Sequence, residues 1–170
     1  ALYPDILKNY AVHYETKQPI PQALIDKIKK ASTFNEGYAF TEVLAAANLD
    51  LQWHTILSDT IINNVSDFEK KALERTGLWV KEVPPRYRSS YFAHIFGGGY
   101  GAGYYSYQWT EMLCHDAYQW FEENGGLTRA NGQRFRDLIL SKGNTMDYEK
   151  MYLAFRRKAP AIEPLLKARG

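Results

Sequence analysis

The fold of this chain is indicated first by residues 38–57, which read YAFTEVLAAANLDLQWHTIL. The stretch is long and mostly apolar, and the side chains expected to face a core are Val43, Leu44, Ala47, Leu51 and Ile56. Its alanines allow a neighbouring helix to approach closely. We therefore predict a long helix here, central to the hydrophobic core.

Helical periodicity continues on both sides of this stretch. Apolar residues spaced by three and four predict a first helix that begins near Pro4, and a second helix is expected over 22–34. Ser66 with Glu69 three residues later matches a capping box, which predicts the start of a short helix. Further helices are expected from the glycine-rich segment to about 124, over 128–140 with Thr128 as cap, over 147–157 and over 160–167. No strand is predicted, so the fold class is all-α, in a single helical domain covering 1–170.

The bulk composition excludes several classes of protein. The chain has 170 residues, of which 45% are apolar and 24% charged, and its net charge of +2 is too small to indicate nucleic acid or an anionic membrane. No apolar run approaches the roughly 18–20 residues that span a bilayer. A single cysteine excludes an internal disulfide, and we interpret Cys114 as a small core residue.

Residues 97–107 read GGGYGAGYYSY and are the most unusual part of the chain. Five glycines lie within seven residues, although glycine destabilises a regular element by about 0.5–1 kcal/mol relative to alanine. A flexible connector is one interpretation, but linkers favour serine and glycine over tyrosine. A phosphate-binding loop fits poorly, because no strand precedes the run and no Gly-Lys-Ser/Thr follows it.

Three tyrosines of this segment, Tyr100, Tyr104 and Tyr107, are spaced i, i+4 and i+7. If the segment is helical they share one face, and the simplest interpretation is an aromatic stripe packed into the core. His94 and the neighbouring glycines favour a second interpretation. A histidine and several phenols around a glycine-rich loop could donate hydrogen bonds to a substrate carbonyl or a developing oxyanion.

Several short segments of the sequence resemble one known family in their order and spacing. They are PPRYRSSYF at 84–92, HIFGGGY at 94–100, AGYY at 102–105, GGLTR at 125–129, NG at 131–132 and RFR at 134–136. Together they resemble the thimet oligopeptidase family of zinc metallopeptidases, and within it the bacterial peptidyl-dipeptidase group. The resemblance covers essentially the whole chain. It implies the C-terminal part of a larger helical peptidase fold with a glycine-rich substrate loop.

The resemblance also implies roles for individual residues. His94 and Tyr100 match residues that hold the substrate backbone near the scissile bond, and the glycines at Gly98 and Gly99 belong to the same substrate-binding loop. Tyr107 matches a catalytic tyrosine that hydrogen-bonds the oxyanion of the tetrahedral intermediate. Gly101 departs from the alanine common in the family, and we expect this change to loosen the loop and alter little else.

Zinc peptidases of this kind need a His-Glu-x-x-His motif, and this chain has none. Its four histidines are His13, His54, His94 and His115, and no two have that spacing. The resemblance therefore implies a zinc site upstream of Ala1 in the parent enzyme, with no metal bound by this chain. Glu111 and His115 are interpreted as ordinary helix-surface neighbours, and His54, four residues after Asp50, as a packed or capped histidine and not a metal ligand.

The expected function is thus hydrolysis of short peptides by a parent enzyme that releases C-terminal dipeptides. This chain would supply substrate-binding and oxyanion-stabilising residues and would be inactive alone. The expected partners are short peptide substrates and either the missing N-terminal part of the same enzyme or a second copy of the chain, in a bacterial cytoplasm. Alternatives are a non-catalytic helical module that binds a peptide or partner, and a helical domain whose tyrosines only pack.

Overall fold

The structure, a computed structural model, describes residues 4–170, with side chains from residue 6 onward. Ala1, to which the zinc prediction refers, lies outside the described residues. The helices of the described part are α1 Pro4–Tyr10, α2 Gln22–Ala31, α3 Glu36–His54, α4 Val65–Arg75, α5 Ala93–Phe96, α6 Ser106–Glu123, α7 Arg129–Phe135, α8 Tyr148–Arg156 and α9 Glu163–Arg169. A 3₁₀ turn covers Ser89–Tyr91, and a π-helical segment, Arg136–Leu140, directly follows α7.

Over residues 4–170 there are no strands, and only two isolated β-bridges join Val12 to Pro19 and Val80 to Val83. The all-α prediction is therefore confirmed. None of the helices in this range combines the length and the apolar character needed to cross a membrane.

Of the two side-chain caps predicted from the sequence, one agrees with the structure and the other does not. Thr128 accepts a hydrogen bond from the backbone N–H of Asn131 at 3.2 Å, as its position before α7 predicts. The capping box at Ser66 is wrong, since Asn64 caps α4 by accepting from the N–H of Asp67 at 3.1 Å. Asparagine is as good an N-cap as serine. The side chain of Glu69 is consequently free to turn inward, where it is 1% exposed.

The long central helix α3 begins and ends earlier than predicted. Asn35 has a left-handed backbone with φ of 59°, which separates α2 from α3, so that the expected helix over 22–34 ends at Ala31. Residues Ala45, Ala46 and Leu49 of α3 have no exposed surface. That burial supports the prediction that this helix is central to the core. The expected core positions of Leu51 and Ile56 are wrong, since these side chains are 37% and 38% exposed and Ile56 lies beyond the end of α3.

The chain divides into two compact units, one of residues Asn35–Thr110 and the other of residues up to Phe34 together with Glu111–Gly170. The prediction of a single domain stays a prediction. In the first unit, which we call the loop unit, α3 packs on two sides. One cluster contains Ala46, Ala47, Phe92, Ile95 and Tyr104, and the other contains Ala45, Leu49, Ala72 and Leu73.

The second unit, which we call the terminal unit, has an aromatic core. Phe155 of α8 has no exposed surface and packs against Trp120 of α6, with 4.7 Å between ring centroids. Cys114 of α6 is exposed, so its interpretation as a core residue is wrong. The buried face of α6 carries Asp116, Ala117 and Trp120 instead, and Cys114 lies on another face.

Candidate functional site

The glycine-rich segment forms a loop of turns between α5 and α6. Within it, the N–H of Tyr100 donates to the carbonyl of His94 at 3.1 Å, and the N–H of Gly103 donates to the carbonyl of Tyr100 at 2.8 Å. These bonds give the loop a defined path, which disfavours its interpretation as a flexible connector.

Two of its glycines disfavour a side chain for different reasons, one because of a close contact and the other because of its backbone conformation. A Cβ at Gly98 would lie 3.0 Å from both the Cα and the carbonyl oxygen of His94, closer than real Cβ atoms normally approach backbone. Gly99 has φ of 82°, which glycine adopts at little cost. The loop therefore needs these glycines for its shape, and their expected part in substrate binding stays a prediction.

Gly101 has a different environment. A Cβ there would lie 3.1 Å from Nε2 of His54 and 3.3 Å from the carbonyl oxygen of Ile95. The absence of a side chain at this position thus accommodates the imidazole as well as freeing the backbone, which the sequence did not indicate.

The far end of the loop is held by a buried carboxylate that was not predicted to have a functional role. Oδ1 of Asp50 accepts the N–H of Ala102 at 2.9 Å, and Oδ2 accepts the N–H of Tyr104 at 2.8 Å. Asp50 lies on α3 and has no exposed surface. We call these two bonds the Asp50 clasp. The one signal for it in the sequence is an aspartate within an apolar helix, because such a residue must find partners when buried.

The three tyrosines that were expected on one helical face are arranged differently. α6 begins at Ser106, so Tyr100 and Tyr104 precede the helix and the helical interpretation of their spacing is wrong. Their rings nevertheless meet Tyr107. The rings of Tyr100 and Tyr107 stack with centroids 5.5 Å apart and planes 19° apart, and those of Tyr104 and Tyr107 lie 4.9 Å apart.

Burial separates these tyrosines into two kinds. Tyr104 is 4% exposed and packs on Phe92, whereas Tyr100 and Tyr107 are 39% and 42% exposed. Packing alone accounts for Tyr104. It does not account for two stacked phenols that remain open to solvent at the surface of a glycine-rich loop.

His94 lies on α5 beside the same rings. Its imidazole is half-buried, 6.3 Å from the ring of Tyr100, 6.0 Å from that of Tyr104 and 4.8 Å from that of Tyr87. The structure therefore brings the predicted residues His94, Tyr100 and Tyr107 into one aromatic cluster. The roles assigned to them stay predictions.

The pKa values of Tyr104 and Tyr107 are both raised above the ordinary value of a phenol. A hydrogen bond with Tyr100 raises the pKa of Tyr107, with a smaller contribution from burial, and burial raises the pKa of Tyr104. Phenols ordinarily ionise near pH 10. At neutral pH both hydroxyls therefore keep their protons, and the proton of Tyr107, which is donated to Tyr100, would reach a substrate oxygen only if that oxygen replaced Tyr100 as the acceptor.

A second buried carboxylate holds the segment that precedes α5. Oε2 of Glu69 accepts from the N–H of Ser89 at 2.9 Å and from its hydroxyl at 3.0 Å, and Glu69 is also ion-paired with Arg88. The indole N–H of Trp53 donates to the same hydroxyl at 2.8 Å. Sequence reasoning assigned Glu69 to a helix cap, because nothing local indicates a partner twenty residues away.

The described residues do not fit a zinc ion. The imidazole Nδ1 of His54 lies 2.9 Å from a carboxylate oxygen of Asp50, and both oxygens of Glu111 accept from Arg169 at 2.6 Å. Nε2 of His115 is 4.0 Å from Glu111. Among the side chains that the structure describes, from residue 6 to 170, no three of His, Cys, Asp or Glu form a group that could hold a metal.

Comparison with known proteins gives a consistent family. All of residues 1–170 match Peptidase family M3. The chain is 52% identical to dipeptidyl carboxypeptidase of Escherichia coli (strain K12) over 170 residues, which cover 100% of this chain and 25% of that protein. It is 36% identical to organellar oligopeptidase A, chloroplastic/mitochondrial, of Arabidopsis thaliana, over 98% of this chain and 21% of the relative.

A more distant relative is saccharolysin of Saccharomyces cerevisiae, 27% identical over 96% of this chain and 23% of that protein. The chain thus spans about a quarter of the length of the curated relatives it matches. The predicted resemblance to a metallopeptidase family is confirmed, since the match extends along every residue. The chain belongs to Peptidase family M3.

Proposed function

We propose that this chain is part of a zinc metallopeptidase that hydrolyses short peptides and releases dipeptides from their C-termini. Membership of Peptidase family M3 supports the reaction class. The 52% identity to a protein named dipeptidyl carboxypeptidase supports the release of dipeptides. The observation that carries the proposal is the stacking of two solvent-open phenols beside His94 of α5, namely Tyr100 of the glycine-rich loop and Tyr107 in the first turn of α6.

Each residue of this cluster has a part in the proposal. Tyr107 donates its hydroxyl proton as a hydrogen bond to the oxygen that becomes negative when the scissile carbonyl is attacked. His94 and Tyr100 bind the substrate backbone on either side of that carbonyl. Gly98 and Gly99 let a peptide approach the loop backbone closely, because neither carries a side chain.

The residues that would hold zinc lie, in this proposal, in a part of the enzyme outside this chain. No residue described here is assigned to the metal. The chain supplies the substrate-binding side of the active site, and it is catalytically incomplete without the side that holds zinc. Short peptides and the remainder of the same enzyme are therefore its proposed partners, and a bacterial cytoplasmic location stays a prediction.

Exposed apolar side chains support the remainder of the enzyme as a partner. Leu57 and Ile61 are 73% and 80% exposed in the loop unit, and Phe34 is 78% exposed in the terminal unit. Single exposed apolar residues are common, but side chains of this size lose favourable burial when left in water. Self-association of the chain would cover them as well.

Substitution of Tyr107→Phe in the full-length enzyme tests the proposal. We expect kcat to fall by about 10²–10³ with KM nearly unchanged, because the lost hydroxyl stabilises the transition state and not the bound substrate. Steady-state kinetics with a short blocked peptide measures both constants.

Tyr105→Phe is the matched control. Tyr105 is 52% exposed in the same loop and takes no part in the ring stack of Tyr100 and Tyr107, so its loss should leave kcat within about twofold. An unchanged kcat for Tyr107→Phe would contradict the proposed role. Absence of turnover from the full-length protein would favour the alternative of a non-catalytic peptide-binding module.

A further inference from the structure

We infer that Asp50 is a positioning residue, whose buried carboxylate holds the glycine-rich loop so that the hydroxyl of Tyr107 is placed for catalysis. This inference rests on the function proposed above. Asp50 lies on α3 and does not itself reach the substrate. Its effect on the reaction would pass through the loop backbone.

The clasp joins parts of the chain that are far apart in sequence. The two hydrogen bonds of Asp50, at 2.9 and 2.8 Å, span 52 and 54 residues and use both carboxylate oxygens. Bonds from a charged acceptor to backbone N–H groups are stronger than neutral ones, and here they are shielded from water. The carboxylate therefore fixes two nearly adjacent points of the loop against a rigid helix.

The loop would not keep this shape unaided. Ala102 has φ of 55°, a left-handed backbone that disfavours residues with a Cβ, and glycines flank it on both sides. Such a conformation persists when its surroundings over-determine it. The N–H that Asp50 accepts at Oδ1 belongs to Ala102 itself.

A short path leads from the clasp to Tyr107. The backbone of Tyr104 is held by Asp50, and its ring is buried against Phe92 with centroids 4.9 Å apart. The N–H of Tyr107 then donates to the carbonyl of Tyr104 at 3.3 Å, and the two rings lie 4.9 Å apart. Tyr107 is therefore placed by Tyr104, which is placed by Asp50.

His54 orients the carboxylate. Its Nδ1 lies 2.9 Å from Oδ1 of Asp50 and 2.9 Å from the carbonyl oxygen of the same residue. Both neighbours are acceptors, so Nδ1 carries the proton. Nε2 of the same ring faces Gly101, which brings the imidazole against the loop that Asp50 holds.

The test is a double-mutant cycle in the full-length enzyme with Asp50→Asn and Tyr107→Phe. The amide retains one acceptor but turns a donor toward the second backbone N–H, so one bond of the clasp is lost. We expect Asp50→Asn to lower kcat by at least about tenfold. In that background Tyr107→Phe should lower kcat by less than about a further tenfold, because a displaced hydroxyl no longer stabilises the transition state.

Hydrogen exchange supplies a readout that does not depend on activity. In Asp50→Asn the amides of Ala102 and Tyr104 should exchange at least about tenfold faster, while amides of α8 in the terminal unit keep their rates. Unchanged exchange at these two amides would overturn the inference.

Glu69→Gln is the matched control, because Glu69 is the other buried carboxylate of the loop unit that accepts a backbone N–H. Its loss weakens the unit without releasing the loop end. Tyr107→Phe should keep its full effect on kcat in the Glu69→Gln background. If the effect of Tyr107→Phe on kcat also became small in the Glu69→Gln background, any weakening of the unit would have this result. That outcome would overturn the specific role of Asp50.

The outcomes separate the inference from the proposed function. If Tyr107→Phe alone lowers kcat and the factor is the same in the Asp50→Asn background, Asp50 does not position Tyr107. If Tyr107→Phe alone has no effect, the proposed function is wrong, and the exchange rates still decide whether Asp50 holds the loop. Should Asp50→Asn fail to fold, His54→Ala removes the imidazole that orients the carboxylate, and unchanged exchange at the amides of Ala102 and Tyr104 together with strict additivity with Tyr107→Phe would overturn the inference.

Discussion

Two aspartates, Asp50 in the loop unit and Asp116 in the terminal unit, are both completely buried but have different partners. Asp50 accepts two backbone N–H groups of a loop. Asp116 lies on α6 and accepts from the guanidinium of Arg156 on α8, with Nε 3.1 Å from Oδ2 and Nη2 3.2 Å from Oδ1. The first carboxylate places a backbone, whereas the second joins two helices.

The partners explain why the two sites should respond differently to mutation. Asp50 holds two backbone N–H groups of a loop, so disturbing its carboxylate changes where the loop lies. A buried ion pair costs desolvation of both charges, and removing one partner leaves the other unpaired. Arg156 also binds Glu123 at 2.6 Å, and this hydrogen bond lowers the pKa of the Glu123 carboxyl. The Asp116 network should therefore govern stability, whereas the Asp50 clasp should govern the geometry of the loop.

Arg156→Ala is expected to have the largest effect on stability. It leaves Asp116 buried without its counter-charge, which typically costs about 3–5 kcal/mol. Native-state hydrogen exchange of α6 and α8 in the full-length enzyme measures the free energy of opening. Arg129→Ala, at the exposed first residue of α7, is the control and should change it by less than about 0.5 kcal/mol.

The Arg156→Ala result would also test the division of roles. If the opening free energy of α8 hardly changes, the ion pair is not a stabilising element and the contrast with Asp50 fails. If the amides of Ala102 and Tyr104 become unprotected together with α8, the two buried carboxylates do not act separately.

Tyr152→Phe is expected to have an intermediate effect. Its hydroxyl donates to Oδ2 of Asp116 at 2.6 Å, and burial, followed by this hydrogen bond, raises its pKa far above the ordinary value. Loss of a hydrogen bond to a buried charged group costs about 1.5–3 kcal/mol, read from the same exchange measurement. Tyr148→Phe removes a hydroxyl that bonds Asn144 at an exposed position, and a comparable loss there would contradict the assignment.

Gly101→Ala is expected to have the smallest effect, and Gly132→Ala provides a control of opposite sign. The new Cβ at 101 approaches Nε2 of His54 at 3.1 Å and the carbonyl oxygen of Ile95 at 3.3 Å, so these neighbours must shift by a few tenths of an ångström, at a cost of about 1 kcal/mol. Gly132 lies inside α7 with nothing within 4 Å of its Cβ position, so alanine there should stabilise by about 0.5–1 kcal/mol. Thermal unfolding measures both, and stabilisation by Gly101→Ala would show that His54 does not restrain the loop.

Much of the fold and part of the site could be predicted from the sequence. Helical periodicity and the cap at Thr128 act over one or two turns, so they could be recognised locally. The family resemblance singled out His94, Tyr100 and Tyr107, whose rings the structure brings into one cluster. Cys114 was misjudged, because the buried face of α6 is selected by what α8 presents to it and not by residue type.

The amino-acid sequence determined the all-α fold class, the glycine-rich loop and the family, because each depends on residue types at short or fixed spacings. Only the tertiary structure showed that Tyr100 and Tyr107 stack across the start of a helix, and that Asp50 holds the loop from 52 and 54 residues away. A hydrogen bond over such a separation is set by how α3 packs in the core. No local pattern of residues encodes that packing.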